Sequence, residues 1–376
     1  MTRRERLLAS IRGTPVDRPP VCFYEINGIT QDPNNADPYN IFNHPSWRPA
    51  LDLARTQSDL IIMCGVPFRN APPNPAPELY QNEKWEEGDS RFYRTTIRAG
   101  QRTLTATGRH DRDVNTGWAT EHLLKNVDDV KAWLDLPVTP FGGTPDPSGV
   151  LAMEQRLGED GIVMLDTGDP ICSAASMFHM QDYAVLAVEE PALFQRVLER
   201  HAATILPRVA AIAQALPGRL WRIYGPEYAS PPYLPPRLYP EIVTRYLRPM
   251  VESIQRHGGY ARVHSHGRLK AILGELASTG CTGLDPIEPP PQGDVALAYV
   301  REQVGQQMTL FGNLEASDIE NLPTPQFGEK IRRALGEGTA GSGRGFVLMP
   351  SACPYGRLLS KLAMYNYEKM VELAEA

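Results

Sequence analysis

Two histidines stand two residues apart in Val263-His264-Ser265-His266-Gly267. They close an apolar run, Tyr260 to Val263, and a helical pattern begins just after Gly267. In a strand, residues i and i+2 face the same side, so both rings would aim into one small volume. Strand ends that open into loops are where α/β proteins place their chemistry. Far along the chain, Cys353 follows another apolar run, Phe346 to Met349, in the same strand-to-loop position. Two imidazoles and one thiolate with an open fourth position make the donor set of a catalytic zinc site. The plainer alternative is a hydrogen-bonded structural pair, or a pair that touches a ligand directly.

The elements that must position these groups follow a regular rhythm. Val21–Ile26 and Leu60–Cys64 are apolar runs stopped by Asn27-Gly28 and Gly65. From residue 146 onward, helical patterns alternate with short apolar runs. These are Ile162–Asp166, Leu220–Tyr224, Tyr260–His264, Gly283–Ile287, Met308–Phe311 and Phe346–Met349. Eight such strands separated mostly by helices imply parallel strands with right-handed crossovers, and so a (β/α)8 TIM barrel. An open doubly wound sheet is the competitor. No GxGxxG follows the first strand, and Gly341-Ser-Gly-Arg-Gly345 precedes a strand, the wrong context for a dinucleotide fingerprint.

One stretch breaks the rhythm. Arg91–Arg98 and Arg102–Thr107 flank Ala99-Gly100 with alternating polar and apolar residues, a β-hairpin pattern. Residues 66 to about 120 are therefore expected to be an inserted excursion after the second strand, inside one domain spanning 1–376. A helix is expected over Glu121–Leu134.

In a barrel the C-terminal strand ends converge on one mouth. In chain order those ends offer Tyr24, Glu25 and Asn27; Cys64; Asp166, Thr167 and Asp169; Tyr224, Glu227 and Tyr228; His264 and His266; Asp285 and Glu288; Asn313 and Glu315; Ser351 and Cys353. The set is rich in carboxylates. Each carboxylate taken alone could equally cap the helix that follows it. No HExxH and no Walker-type loop occurs.

Composition sets the outer bounds. The chain has 376 residues, 38 basic and 44 acidic, with a formal charge of −6. That balance asks for neither nucleic acid nor an anionic membrane. Five scattered cysteines without a CxxC argue against a disulfide framework. The polar opening, Met1-Thr-Arg-Arg-Glu-Arg, lacks a signal-peptide pattern, and no run is long and apolar enough to span a bilayer. A cytoplasmic protein is expected.

Several of these pieces carry a family likeness. They are Arg4 to Pro20 (RERLLASIRGTPVDRPP), Asp166–Pro170, Gly225–Pro232 and His264-Ser-His-Gly267. Asp285-Pro-Ile-Glu-Pro289 with Gly293-Asp294, Phe311-Gly-Asn313 and Met349-Pro-Ser-Ala-Cys353 complete the set. In that order the chain resembles the uroporphyrinogen decarboxylase superfamily, and within it the cobalamin-linked, zinc-dependent methyltransferases. The resemblance implies a (β/α)8 barrel with its active site at the strand C-termini. It implies zinc held by His264, His266 and Cys353, with His266 standing where a cysteine is usual. The decarboxylases themselves carry an arginine-rich segment after the first strand, and here that place reads Glu25-Ile-Asn-Gly-Ile-Thr30.

The expected activity is methyl transfer between a corrinoid and a small thiol or methyl ether, the latter an O-demethylation. With no DxHxxG motif in the chain, the corrinoid would come free or on a partner protein. Catalytic roles fall to Glu227 and Asp166, as fourth metal ligand or proton handler, with Asp169 a further catalytic candidate. Substrate or cofactor contacts fall to Tyr24, Asn27, Tyr224, Tyr228, Asp285, Glu288 and Asn313. The family likeness also suggests a homodimer. The competing readings are a metal-free decarboxylase of a tetrapyrrole or small acid, with Asp166 or Asp169 holding a substrate cation, and a non-catalytic tetrapyrrole binder.

Overall fold

The computed structural model describes residues 1–376. Seven parallel strands form one curled sheet in chain order: β1 (Leu60–Cys64), β2 (Gly161–Gly168), β3 (Leu220–Tyr224), β4 (Tyr260–His264), β5 (Gly283–Asp285), β6 (Thr309–Leu314) and β7 (Phe346–Pro350). Spatial order equals chain order because each crossover returns the chain to the neighbouring position with the same hand. Side chains alternate across the sheet. Ile61, Ile162, Met164, Leu220, Phe311, Val347 and Met349 form an inner cluster with Leu7 and Ile11 of the helix Arg3–Arg12. Ile62, Val163, Leu165 and Leu348 face outward into the larger apolar layer under the helices.

The eighth expected strand is a correction. Val21–Ile26 makes no ladder, and Val21 alone bridges to Leu348. The Cys22 N–H donates to the Leu348 carbonyl at 2.9 Å, and on the other side the Asp59 N–H donates to the Val21 carbonyl at 2.7 Å. The run stops because Tyr24 turns to φ +58°, a left-handed conformation that bulky L-residues rarely adopt. The motif around residues 4–20 has a structural job here. Arg6 and Arg18 donate to buried Asp59 at 2.7 and 2.9 Å, and Asp59 accepts the Val21 N–H at 2.8 Å.

Between β1 and β2 lies a four-stranded antiparallel sheet of Tyr80–Glu87, Ser90–Ala99, Arg102–Asp111 and Gly117–Glu121. The two runs expected to form a hairpin are its middle strands, paired from Ser90–Asp111 to Ala99–Arg102. The outer strands are almost wholly exposed, so no buried apolar alternation marks them in the sequence. The expected helix from Glu121 begins only at Val127, where the Asn126 side chain accepts the Asp129 N–H. This sheet leaves the C-terminal end of β1. It is tied to the segment after β2 through Leu124 and Phe178, and to the loop after β7 through Val114 and Gly356. It therefore stands at the end of the curled sheet where the strands open into loops. No helix is long and apolar enough to cross a membrane.

Candidate functional site

The inner face changes from apolar to ionic toward the strand C-termini. On β3 and β4, Arg222 and Arg262 sit two residues before Tyr224 and His264, on the same inward side. Both arginines lie in otherwise apolar strands, so each must find a partner. Arg222 grips Asp166 with two bonds of 2.6 and 3.0 Å, and Arg262 grips Asp285 with bonds of 2.6 and 2.9 Å. Arg222 also donates to the Tyr24 hydroxyl. Neither arginine was singled out from the sequence. The signal was there, an arginine at the centre of a buried strand.

Above this ionic layer the two histidines meet. Their ring centroids are 4.6 Å apart with planes at 90°. His264 Nδ1 lies 2.7 Å from Asp285 Oδ2, and His266 Nδ1 lies 2.8 Å from Glu288 Oε1. The second oxygen of Glu288 accepts the Gly267 N–H at 2.6 Å. The Tyr24 ring is nearly parallel to that of His264, with centroids 6.0 Å apart. Burial alone would push the Asp285 pKa up, but the Arg262 guanidinium and His264 hold it well below the usual carboxylate range. Burial opposes charge on His266, and Glu288 outweighs it and raises the His266 pKa. Between the two carboxylates, Ile287 is held at φ +58°. A β-branched residue there is strained, and the turn persists because the surrounding packing over-determines it.

The other expected site residues have different surroundings. Tyr224 and Tyr228 are half-buried near the same mouth, with Glu227 on the short helical turn Pro226–Ala229. The Glu227 carboxylate accepts the Gly225 N–H at 3.0 Å. Asp169 is 1% exposed and caps the helix Pro170–Ala175 through the Cys172 N–H at 2.8 Å, with burial raising its pKa. Asn27 shapes its own loop, its side-chain oxygen accepting the N–H groups of Ile29 and Thr30 at 2.8 Å. Asn313 ends half-buried on β6, opposite Met349. Glu315, two residues on, is 7% exposed, and its Oε1 has no hydrogen-bond partner. Burial, with the nearby Glu288 charge, pushes the Glu315 pKa up to about 7.

Cys353 is the residue that the structure does not bring to the histidines. Its thiol donates to Glu25 Oε2 at 3.4 Å, and burial raises its pKa. No group of three or more His, Cys, Asp or Glu side chains stands at metal-cage spacing. The imidazole pair itself has the character of a ligand set. Each Nδ1 is held by a carboxylate, and no protein group bonds either Nε2. Metal-ligating histidines are commonly oriented by a carboxylate on the other ring nitrogen in this way.

Residues 151–376 match the model of the uroporphyrinogen decarboxylase (URO-D) family. The chain belongs to that family. Among solved structures, this URO-D member is similar to a methyltransferase from Methanosarcina mazei. The two share 17% identity and a TM-score of 0.61 over 100% of this chain and 98% of that one. More distant is a protein from Listeria monocytogenes assigned as a vitamin-B12-independent methionine synthase, at 12% identity and a TM-score of 0.41 over 63% and 71% of the two chains. No curated protein sequence matches this URO-D chain significantly.

Proposed function

We propose that this URO-D protein is a methyltransferase that moves a methyl group between a corrinoid and a small substrate bound at the histidine pair. The observation that carries the proposal is the pair of imidazoles whose Nδ1 atoms are both tied to carboxylates while both Nε2 atoms stay free. Family membership and the overall likeness to the M. mazei methyltransferase support it. His264 and His266 would hold a zinc ion. Cys353 is the proposed third donor, and its loop would have to give up the bond to Glu25. Bound there, zinc would supply Lewis acidity toward a thiol or methyl ether.

The chain's own residues do the rest. Asp285 and Glu288 fix the tautomer of each ring by accepting from Nδ1, which leaves the Nε2 lone pairs free to bind a ligand. Tyr24 restrains the plane of His264 by stacking. Glu227, with a single backbone donor, is the carboxylate best able to take or return a proton. The corrinoid arrives free or on a partner protein.

The decarboxylase reading gains nothing from this geometry. It asks Asp166 or Asp169 to face a substrate cation. Asp166 is closed in a two-bond pair with Arg222, and Asp169 is buried under its helix.

The test is metal content and methyl transfer on the purified chain. About one zinc per chain is expected from a single site of this kind, lost in His264→Ala and in His266→Ala. Full methyl transfer by protein stripped of metal would overturn the proposal. Cys353→Ser reports separately on the third donor.

A further inference from the structure

Resting on the proposed methyl-transfer site, we infer that its small substrate carries a positive charge, held by Glu227 and the tyrosines of the β3 loop beside the histidine pair.

Charge accounting is the first ground. Arg222 and Arg262 are the only guanidinium groups in the ionic layer, and each is closed on its own aspartate. Arg222 also spends its remaining nitrogen on Tyr24, and the Arg262 side chain is only 1% exposed, so neither guanidinium is presented to a substrate carboxylate, sulfonate or phosphate. The next cations along the chain, Arg268 and Lys270, are exposed. Glu25, Glu227 and Glu288 remain without any lysine or arginine partner: their bonds are to the Cys353 thiol, the Gly225 N–H, and His266 with the Gly267 N–H. A divalent ion at the histidines would still leave three carboxylates facing two positive charges. An anionic ligand would meet net repulsion.

The second ground is independent of that count. Glu315 is 7% exposed, yet its Oε1 has no donor. It lies within electrostatic reach of Glu288 and His266. A buried acceptor left without a donor is costly, so one is expected to serve a ligand. The wall is the third. Tyr224, Tyr228 and Tyr233 come from the segment that carries Glu227. The first two are half-buried and Tyr233 is 41% exposed. The Tyr224 ring already carries the Arg222 guanidinium, 5.3 Å from its centroid, so Tyr228 and Tyr233 are the rings left beside Glu227. Phenol rings beside a carboxylate are the chemistry that recognises a methylated ammonium group.

The experiment uses three thiols on one two-carbon frame, titrated calorimetrically into the zinc-loaded protein and into the metal-free protein. They are 2-(trimethylammonio)ethanethiol, 2-mercaptoethanol and 2-mercaptoethanesulfonate, with choline as a cation that has no thiol. The cationic thiol is expected to bind roughly tenfold to a hundredfold tighter than the neutral one, with the sulfonate weakest. Glu227→Gln should shrink that gap, and so should raised salt. Equal binding of all three, or preference for the sulfonate, would overturn the inference even if methyl transfer is found. Choline binding without binding of any thiol would keep the cation assignment and remove the thiol reading of the site.

Discussion

Replacing Asp285 by asparagine probes the joint between the ionic layer and the histidines. The Asp285 side chain is 0% exposed and that of its partner Arg262 is 1% exposed. The same carboxylate also anchors His264. Asparagine keeps the shape and one acceptor but removes the charge. Arg262 is then left buried without a counter-ion, and an amide N–H faces donors that it cannot accept from. Breaking a buried pair from one side costs about 3–5 kcal/mol. In a chain of this length each kcal/mol moves the melting temperature by about 1–2 °C, so a fall of about 3–10 °C is expected. Scanning calorimetry and urea titration measure it. The companion is Arg262→Met with Asp285→Leu, which removes both charges and should lose less than Asp285→Asn alone. Acid titration adds a sign. The folded-state pKa of Asp285 is depressed, so its contribution is complete above about pH 4 and is lost as pH falls below that. Asp285→Asn should flatten that acid limb. A melting temperature within about 1 °C of the native protein, or a double variant as unstable as the sum of the single changes, would refute this reasoning.

Gly293→Ala should loosen His266 without unfolding the chain. An added Cβ would lie 1.8 Å from the Glu288 carbonyl oxygen, so the Glu288 backbone must move. Loss of such an orienting partner typically costs roughly tenfold to a hundredfold in metal affinity. Unchanged zinc affinity with a native circular dichroism spectrum would count against Glu288 as the anchor. Glu315→Gln should stabilise the protein above pH 7. The folded pKa of about 7 lies above the unfolded one, so stability falls as pH rises from about 4.5 to about 7. Removing the ionisable group should recover on the order of 1 kcal/mol at pH 8, and an unchanged stability–pH curve would contradict the burial of that carboxyl.

The parts of the site visible in the one-dimensional pattern are those governed by local rules. His264 and His266 share a face because strand period is two, and the apolar run before them marks the strand. The same rule puts Tyr224 and Asp285 at strand ends. The pairings across strands were not visible. Nothing in LWRIY or YARVH says that Arg222 takes Asp166 and Arg262 takes Asp285, since register between strands decides it. Asp169 shows the opposite confusion, because a carboxylate after a strand has the same sequence appearance whether it caps a helix or meets a ligand. In the fold it is buried and caps the helix that follows it.

Amino-acid order alone determined the alternation of strand and helix, the excursion after Cys64 and the nearness of the two imidazoles. Those depend on backbone periodicity and on residues a few places apart. Only the tertiary structure decided that Val21 bridges by one residue instead of forming a strand, and that Asp285 and Glu288 hold the histidines. It also set Cys353 against Glu25. These outcomes turn on which distant groups share a low-dielectric space, where an unpaired charge or donor is too costly to leave. That cost is assigned by packing, and packing has no local signature.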